Sequence, residues 1–214
     1  SGFLRLLSLS IALIAAPTQS SAEVEPPGRV GRISLASAGT QLRIGDSLAS
    51  GEDALNWPLT TGAFIETSAG GRSEVRIGSM ALHIDGGTAL EFADLDDARI
   101  RLRLHRGSIV IVLRNPEHAA ETTLETPEGS LRFETPGSYR ADVAGGTTAF
   151  SAYRGRALIE TVGLTLQAGE RIVLLGGADR RHLLGQAASD AFRQWSLARE
   201  PGPAPGQHVS PEMT

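Results

Sequence analysis

The chain has 214 residues, a formal net charge of −4 and no cysteine. That length holds one substantial domain with tails, or two small domains. A slightly acidic chain is a poor partner for nucleic acid, and a chain without Cys has no disulfide framework, thiolate zinc site or cysteine nucleophile.

The first segment reads as an address. Arg5 precedes an apolar run through Leu6, Leu9, Ile11 and Ile14, and Ser20-Ser21-Ala22 supplies small residues behind it. The run is shorter than the roughly 20 apolar residues that span a bilayer. We therefore predict a signal peptide over 1–22, cleaved after Ala22, and an exported protein, periplasmic or secreted. Residues 23–28 contain Pro26-Pro27-Gly28 and read as a linker.

From Arg29 the pattern is short apolar alternation broken by turn residues. Ile33 and Leu35 alternate with polar neighbours, and Leu42-Arg43-Ile44 follows. Residues 46–56 are polar and contain glycine, so they read as a loop. Phe64-Ile65-Glu66-Thr67 is strand-like. Ser73–Ile77, Ala81–Ile84 and Thr88–Phe92 then come at even spacing, separated by Gly78-Ser79 and Asp85-Gly86-Gly87. Arg99–Leu104 is the cleanest alternation, placing arginines toward water and aliphatics toward a core. Ser108–Leu113 is apolar on both faces, which predicts a central strand, and Asn115-Pro116 ends it.

The stretch Leu124–Val143 repeats this grammar. Thr126-Pro127-Glu128-Gly129 and Thr135-Pro136-Gly137 are breaks, because proline removes a ladder donor and glycine accepts positive φ. Leu131 and Phe133 face one way; Tyr139, Ala141 and Val143 resume, with Arg140 and Asp142 opposite. Runs at 147–153, 157–162, 164–166 and 171–175 complete the series. Ala188, Phe192 and Trp195 then fall at helical spacing, with Ser189 as N-cap. We predict a β-domain over 29–177, a C-terminal helix over 186–199 covering one end or edge, and a linker or disordered tail over 200–214. The fold class is all-β, a twisted β-solenoid-like stack or a sandwich, since both need the same alternation.

In order, Leu59-Thr60-Thr61-Gly62, Gly71–Gly78, Gly87-Thr88-Ala89-Leu90, Leu102–Val110 with Arg106-Gly107, Leu124-Glu125-Thr126-Pro127 and Gly155 before Ala157-Leu158-Ile159 form a series. Over roughly Arg29–Leu175 this series resembles the FecR domain, the extracytoplasmic β-domain of iron-transport signalling regulators. The resemblance implies a β-solenoid-like fold. Signalling members carry a cytoplasmic anti-sigma segment, a membrane helix and a receptor-docking part, and this sequence shows none of these. It is closer to a secreted branch with a leader, the domain and a helix like 190–195. There a tail like Val209-Ser210-Pro211-Glu212-Met213 leads into further sequence, so the chain is expected to be a truncated form.

Residues that carry chemistry are few. Asp94, Asp96 and Asp97 supply hard-cation oxygens, but EF-hand spacing is missing and a solvated acidic turn is the preferred reading. The five histidines show no paired metal spacing; His83 and His105 sit at alternating polar positions and are expected at the surface. Gly-x-Ser-x-Gly is absent, and the Gly pairs at 86–87, 145–146 and 176–177 read as hairpin turns. Arg99, Arg101, Arg103 and Arg106 form a cationic stripe. The stripe suits carboxylates, phosphates or an acidic glycan, or simply pairs with Glu and Asp across strands.

The sequence therefore predicts an exported, non-catalytic domain with no metal and no cofactor. Its task is protein–protein recognition or scaffolding in the bacterial envelope, extending to signalling. Strand edges or the face carrying Arg99, Arg101, Arg103 and Arg106 are the contact surface. Binding of an acidic envelope polysaccharide, and a module of a longer protein active beyond Thr214, are the alternatives. No nucleic acid and no membrane span after leader removal are expected.

Overall fold

A computed structural model describes residues 29–177 and 181–200. The predicted leader 1–22, the linker 23–28 and all of the predicted tail except Glu200 lie outside the described residues.

The first strands are β1 (Gly31–Ala36), β2 (Thr40–Ile44), β3 (Ser47–Ser50), β4 (Pro58–Leu59), β5 (Ala63–Thr67), β6 (Ser73–Ile77), β7 (Met80–Ile84) and β8 (Ala89–Leu95). The long strand β9 (Ile100–Leu113) leads into helix α1 (Pro116–Glu121). Then come β10 (Thr122–Glu125), β11 (Ser130–Phe133), β12 (Gly137–Ala144), β13 (Thr147–Arg154), β14 (Ala157–Ile159), β15 (Leu164–Leu166), β16 (Glu170–Leu175), β17 (His182–Gln186) and helix α2 (Ala191–Arg199).

These strands make two sheets. Sheet A has the order β4-β1-β6-β7-β9-β12-β13-β16-β17. Sheet B has the order β3-β2-β5-β8-β9-β10-β11-β14-β15. Pairing is antiparallel except between β9 and β10. A parallel pair needs a crossover, and the second half of β9 with α1 provides it.

The sheets share one core. Ile33, Val75, Leu82, Ile111, Tyr139, Phe150 and Ile172 enter it from sheet A, and Leu42, Ile65, Leu90, Leu102, Leu124, Phe133 and Ile159 from sheet B. The fold is thus an all-β sandwich with a solenoid-like course. Successive hairpins lie in alternate sheets, each beside an earlier hairpin of its own layer: β12–β13 in A, β14–β15 in B, β16–β17 in A.

β9 joins the layers. Ile100, Leu102 and Leu104 fill the core from sheet B, while Ile109, Ile111 and Leu113 fill it from sheet A. The inward parity changes between Leu104 and Ile109, where β9 bulges against Ala89-Leu90. Gly107 sits in this bend at φ 89°, and a Cβ there would lie 2.4 Å from Thr88 Cα.

Several expectations need correction. Residues 46–56 are no plain loop, because they contain β3 and a 3-10 turn at Gly51–Ala54. Asn115-Pro116 ends β9 but also starts α1: the Asn115 side chain accepts the His118 amide at 2.8 Å, and proline fits the first helical position. The C-terminal helix runs from Ala191, not 186, since Gln186 belongs to β17. Asp190 rather than Ser189 is its N-cap, accepting the Arg193 amide at 2.8 Å.

Nor does α2 cover an end or edge. It lies on the outer face of sheet A, where Phe192 and Trp195 meet Ala81, Val110 and Val112 of the central strands. Glu200, predicted as the start of a tail, is fixed against it by Arg193 at 2.8 Å and Arg154 at 2.7 Å.

Because the Gly107 bend combines positive φ with a backbone contact, Gly107→Ala is expected to cost about 2–4 kcal/mol. Urea unfolding checks this; a loss under about 0.5 kcal/mol would contradict the role given to the bend.

Candidate functional site

Three surfaces follow from this architecture. The outer face of sheet B carries the predicted arginines. Arg101 Nε lies 2.9 Å from Asp94 and its Nη1 3.5 Å from Glu125. Arg103 bridges Glu91 at 3.2 Å and Glu125 at 3.0 Å. His105 Nε2 is 2.9 Å from Glu91, and Arg106 is 2.9 Å from Glu66. Arg99 is exposed ahead of β9, its amide donating to Asp96 at 2.8 Å. The register of β8, β9 and β10 brings these groups together, because opposite residues share a face.

The electrostatics are those of a mixed lattice. Burial pushes the Glu91 carboxyl up, but His105 and Arg103 pull it below its ordinary value. Asp96 is held low by the amides of Ala98 and Arg99, so its oxygens serve its own turn. Asp94 is engaged by Arg101. The acidic turn and the arginine stripe are therefore parts of one ion-paired surface.

The outer face of sheet A is closed by α2. Arg140 is 7 % exposed and bonds Asp142 and Asp190, each at 2.7 Å. Arg193 reaches Ser138 at 3.2 Å, and Arg199 pairs with Glu74. His83, expected at the surface, is wholly buried here. The alternation correctly put it opposite the core side, but a helix from the far end of the chain covers that side.

The third surface is the edge at β17. Among the described residues the strand pairs only with β16, and all five of its residues are exposed. Leu184 stands opposite Ile172, which is buried at 2 %, yet Leu184 is 75 % exposed. Sheet B stops at β15, so the core row of sheet A runs out into solvent at Leu184. Leu183, on the other side, is 57 % exposed.

Among the described residues half of the β17 backbone is also without a partner. Arg181 O accepts the Leu175 amide, and the Ala187 amide donates to Gly169 O, both at 2.9 Å. In an antiparallel ladder these fix odd-numbered residues of β17 as bonded to β16 and turn His182, Leu184 and Gln186 outward. The strand lacks the Pro and charged residues that blunt natural edges. Beside its start, a cleft of about 660 Å³ opens between the 126–130 turn and Leu174–Gly177, lined by Glu125, Glu128, Thr161 and Arg181.

Strand edges were expected as a contact surface, but neither this strand nor the closure of sheet A by α2 was legible in the sequence. His182–Gln186 is too short and too interrupted by Gly185 to announce a strand. Its exposure depends on where the opposite sheet ends.

No protein-family model and no curated protein sequence matches the chain. The fold has solved counterparts. Two crystal structures of a candidate anti-sigma factor from Parabacteroides distasonis ATCC 8503 align with a TM-score of 0.50. Identity is 14 % and 13 %, and the aligned region is 64 % of this chain. It spans 64 % and 65 % of the neighbour's length, just under two thirds. At that identity the likeness is one of fold, an all-β domain. Among the described residues no helix is long and apolar enough to cross a membrane.

Exposed ion pairs add little to stability. Arg103→Ala is expected to change it by less than about 1 kcal/mol, whereas Leu102→Ala, one position inward, is expected to cost about 2–5 kcal/mol. Chemical denaturation of both variants checks the assignment of faces.

Proposed function

We propose that this chain is an exported recognition module of FecR type, binding rather than catalysing, which docks a partner protein by strand addition along β17. The carrying observation is the open edge: outward backbone groups at His182, Leu184 and Gln186 beside an apolar row that leaves the core at Leu184. An extended segment with an apolar residue opposite Leu184 would complete both the ladder and the core row. The other sheet edges are poorer acceptors. β4 has two residues and begins with Pro58, β15 has three, and β3 has four.

A regulatory role is supported by the fold shared with a candidate anti-sigma factor and by the ordered FecR-like series. Export to the periplasm or beyond rests on the leader pattern over 1–22. The arginine face gives less support to the polysaccharide alternative, because Arg101, Arg103 and Arg106 already face carboxylates.

Capture from bacterial envelope extract, with the chain as bait, tests the reading. A partner held by the wild type is expected to be lost with Leu184→Pro, which removes an outward amide and leaves the bonds to β16. Leu184→Asp is expected to lose it too, and Arg101→Ala with Arg103→Ala to retain it. A partner lost only with the arginine variant would move recognition to sheet B. A glycan recovered instead, with affinity falling in salt, would replace the proposal.

A further inference from the structure

Beneath α2 lies a buried polar cluster that recognition at β17 does not use. His83 projects from β7 away from the shared core, beside Val110 of β9. Its Nδ1 is 2.7 Å from Ser196 Oγ of α2, and Trp195 packs edge-on with ring centroids 5.6 Å apart. Nε2 is buried without a hydrogen-bond partner among the described residues. A bare acceptor nitrogen costs less than a bare donor carrying charge, so this site selects the neutral ring. That assigns the proton to Nδ1, donating to Ser196.

The charges around the ring pull both ways, and burial outweighs them. The Glu74 carboxylate stands 4.0 Å from Nε2, but its oxygens are already taken. Arg199 of α2 and Arg76 of β6, the latter at 2.6 Å, pair with it, and Ser34 donates at 3.0 Å. Glu74 cannot turn to His83 without weakening Arg199, an anchor of α2. Arg72 lies over Trp195 at 5.1 Å. Glu200, the carboxylate of the α2 terminus, is engaged by Arg193 and Arg154. Arg114, beyond β9, is a further cation feeling Glu74 and Glu200. Burial pushes His83 down to about 4; Glu74 and Glu200 oppose this, Arg76 and Arg199 reinforce it.

We propose that α2 is an acid-released latch: when His83 takes a proton, the helix leaves sheet A and uncovers the apolar strip of Ala81, Val110 and Val112. The release is local because this strip forms a cluster of its own with Phe192, separate from the core between the sheets. A nine-residue helix is too short to persist alone, so the freed segment unwinds.

The sign follows from linkage. An undocked His83 has the ordinary value of 6.5, and the docked one about 4. Docking is at full strength above pH 6.5 and weakens about tenfold per unit below it, levelling off near pH 4 after roughly 300-fold. Glu74 and Asp190, though burial raises them, are held below their ordinary values by their partners. Their ion pairs stay intact through the window from pH 7.5 to 5.5.

Hydrogen exchange of the whole chain, corrected for the intrinsic pH dependence, tests this. Exchange of the α2 amides is expected to accelerate about tenfold between pH 7.5 and 5.5, while β9 and β12 keep their protection. His83→Gln is expected to abolish the acceleration. Ser196→Ala is expected to speed α2 exchange at every pH with the slope kept. Constant α2 protection over this range, or an unchanged acid response in His83→Gln, would overturn the latch. Should His83→Gln fold poorly, the imidazole titration in the wild type decides: an NMR midpoint near 6.5 with α2 still docked sinks the proposal.

Discussion

β9 holds the two layers in register. It supplies three aliphatic side chains to the core from each sheet and pairs with β8 and β10 on one side of its bend and with β7 and β12 on the other. Its inward residues change from even to odd along this passage, and the one-residue bulge at His105 with the turn at Gly107 makes that change. Every later hairpin is placed by this strand, since β10 extends sheet B from its first half and β12 extends sheet A from its second.

The two outer faces solve the same problem differently. On sheet B, Arg101 and Arg103 interleave with Asp94, Glu91 and Glu125 at partial exposure, where water screens the charges. On sheet A, α2 removes the water. Arg140 there is kept ionised against its burial by Asp142 and Asp190, and Glu74 is kept ionised by Arg199 and Arg76. A buried charge is costly unless fully paired, so α2 docks through a satisfied network around an apolar strip. His83 is the exception within it, a ring that lacks a second partner among the described residues.

A sandwich built by alternating hairpins has ends, and its ends differ. The first end closes on short strands, with Pro58 in β4. At the other end Leu184 of β17, on the core side of sheet A, is 75 % exposed, so among the described residues nothing covers it. The recognition surface and the latch thus lie on one sheet but on different features of it, an edge and a face.

The alternation of Ile100, Leu102 and Leu104 with arginines, the breaks at Thr126–Gly129 and Thr135–Gly137, and the helical spacing of Phe192 and Trp195 were enough to establish an all-β domain followed by a helix. They were enough because side-chain period and turn chemistry are local properties of the chain. The burial of His83 and Arg140, the exposure of Leu184 and the partners of each arginine were decided only by tertiary structure. Each depends on which distant segment covers a face, or fails to. The same polar position becomes surface or interior according to where α2 lands and where sheet B stops, and neither is written in the spacing of neighbouring residues.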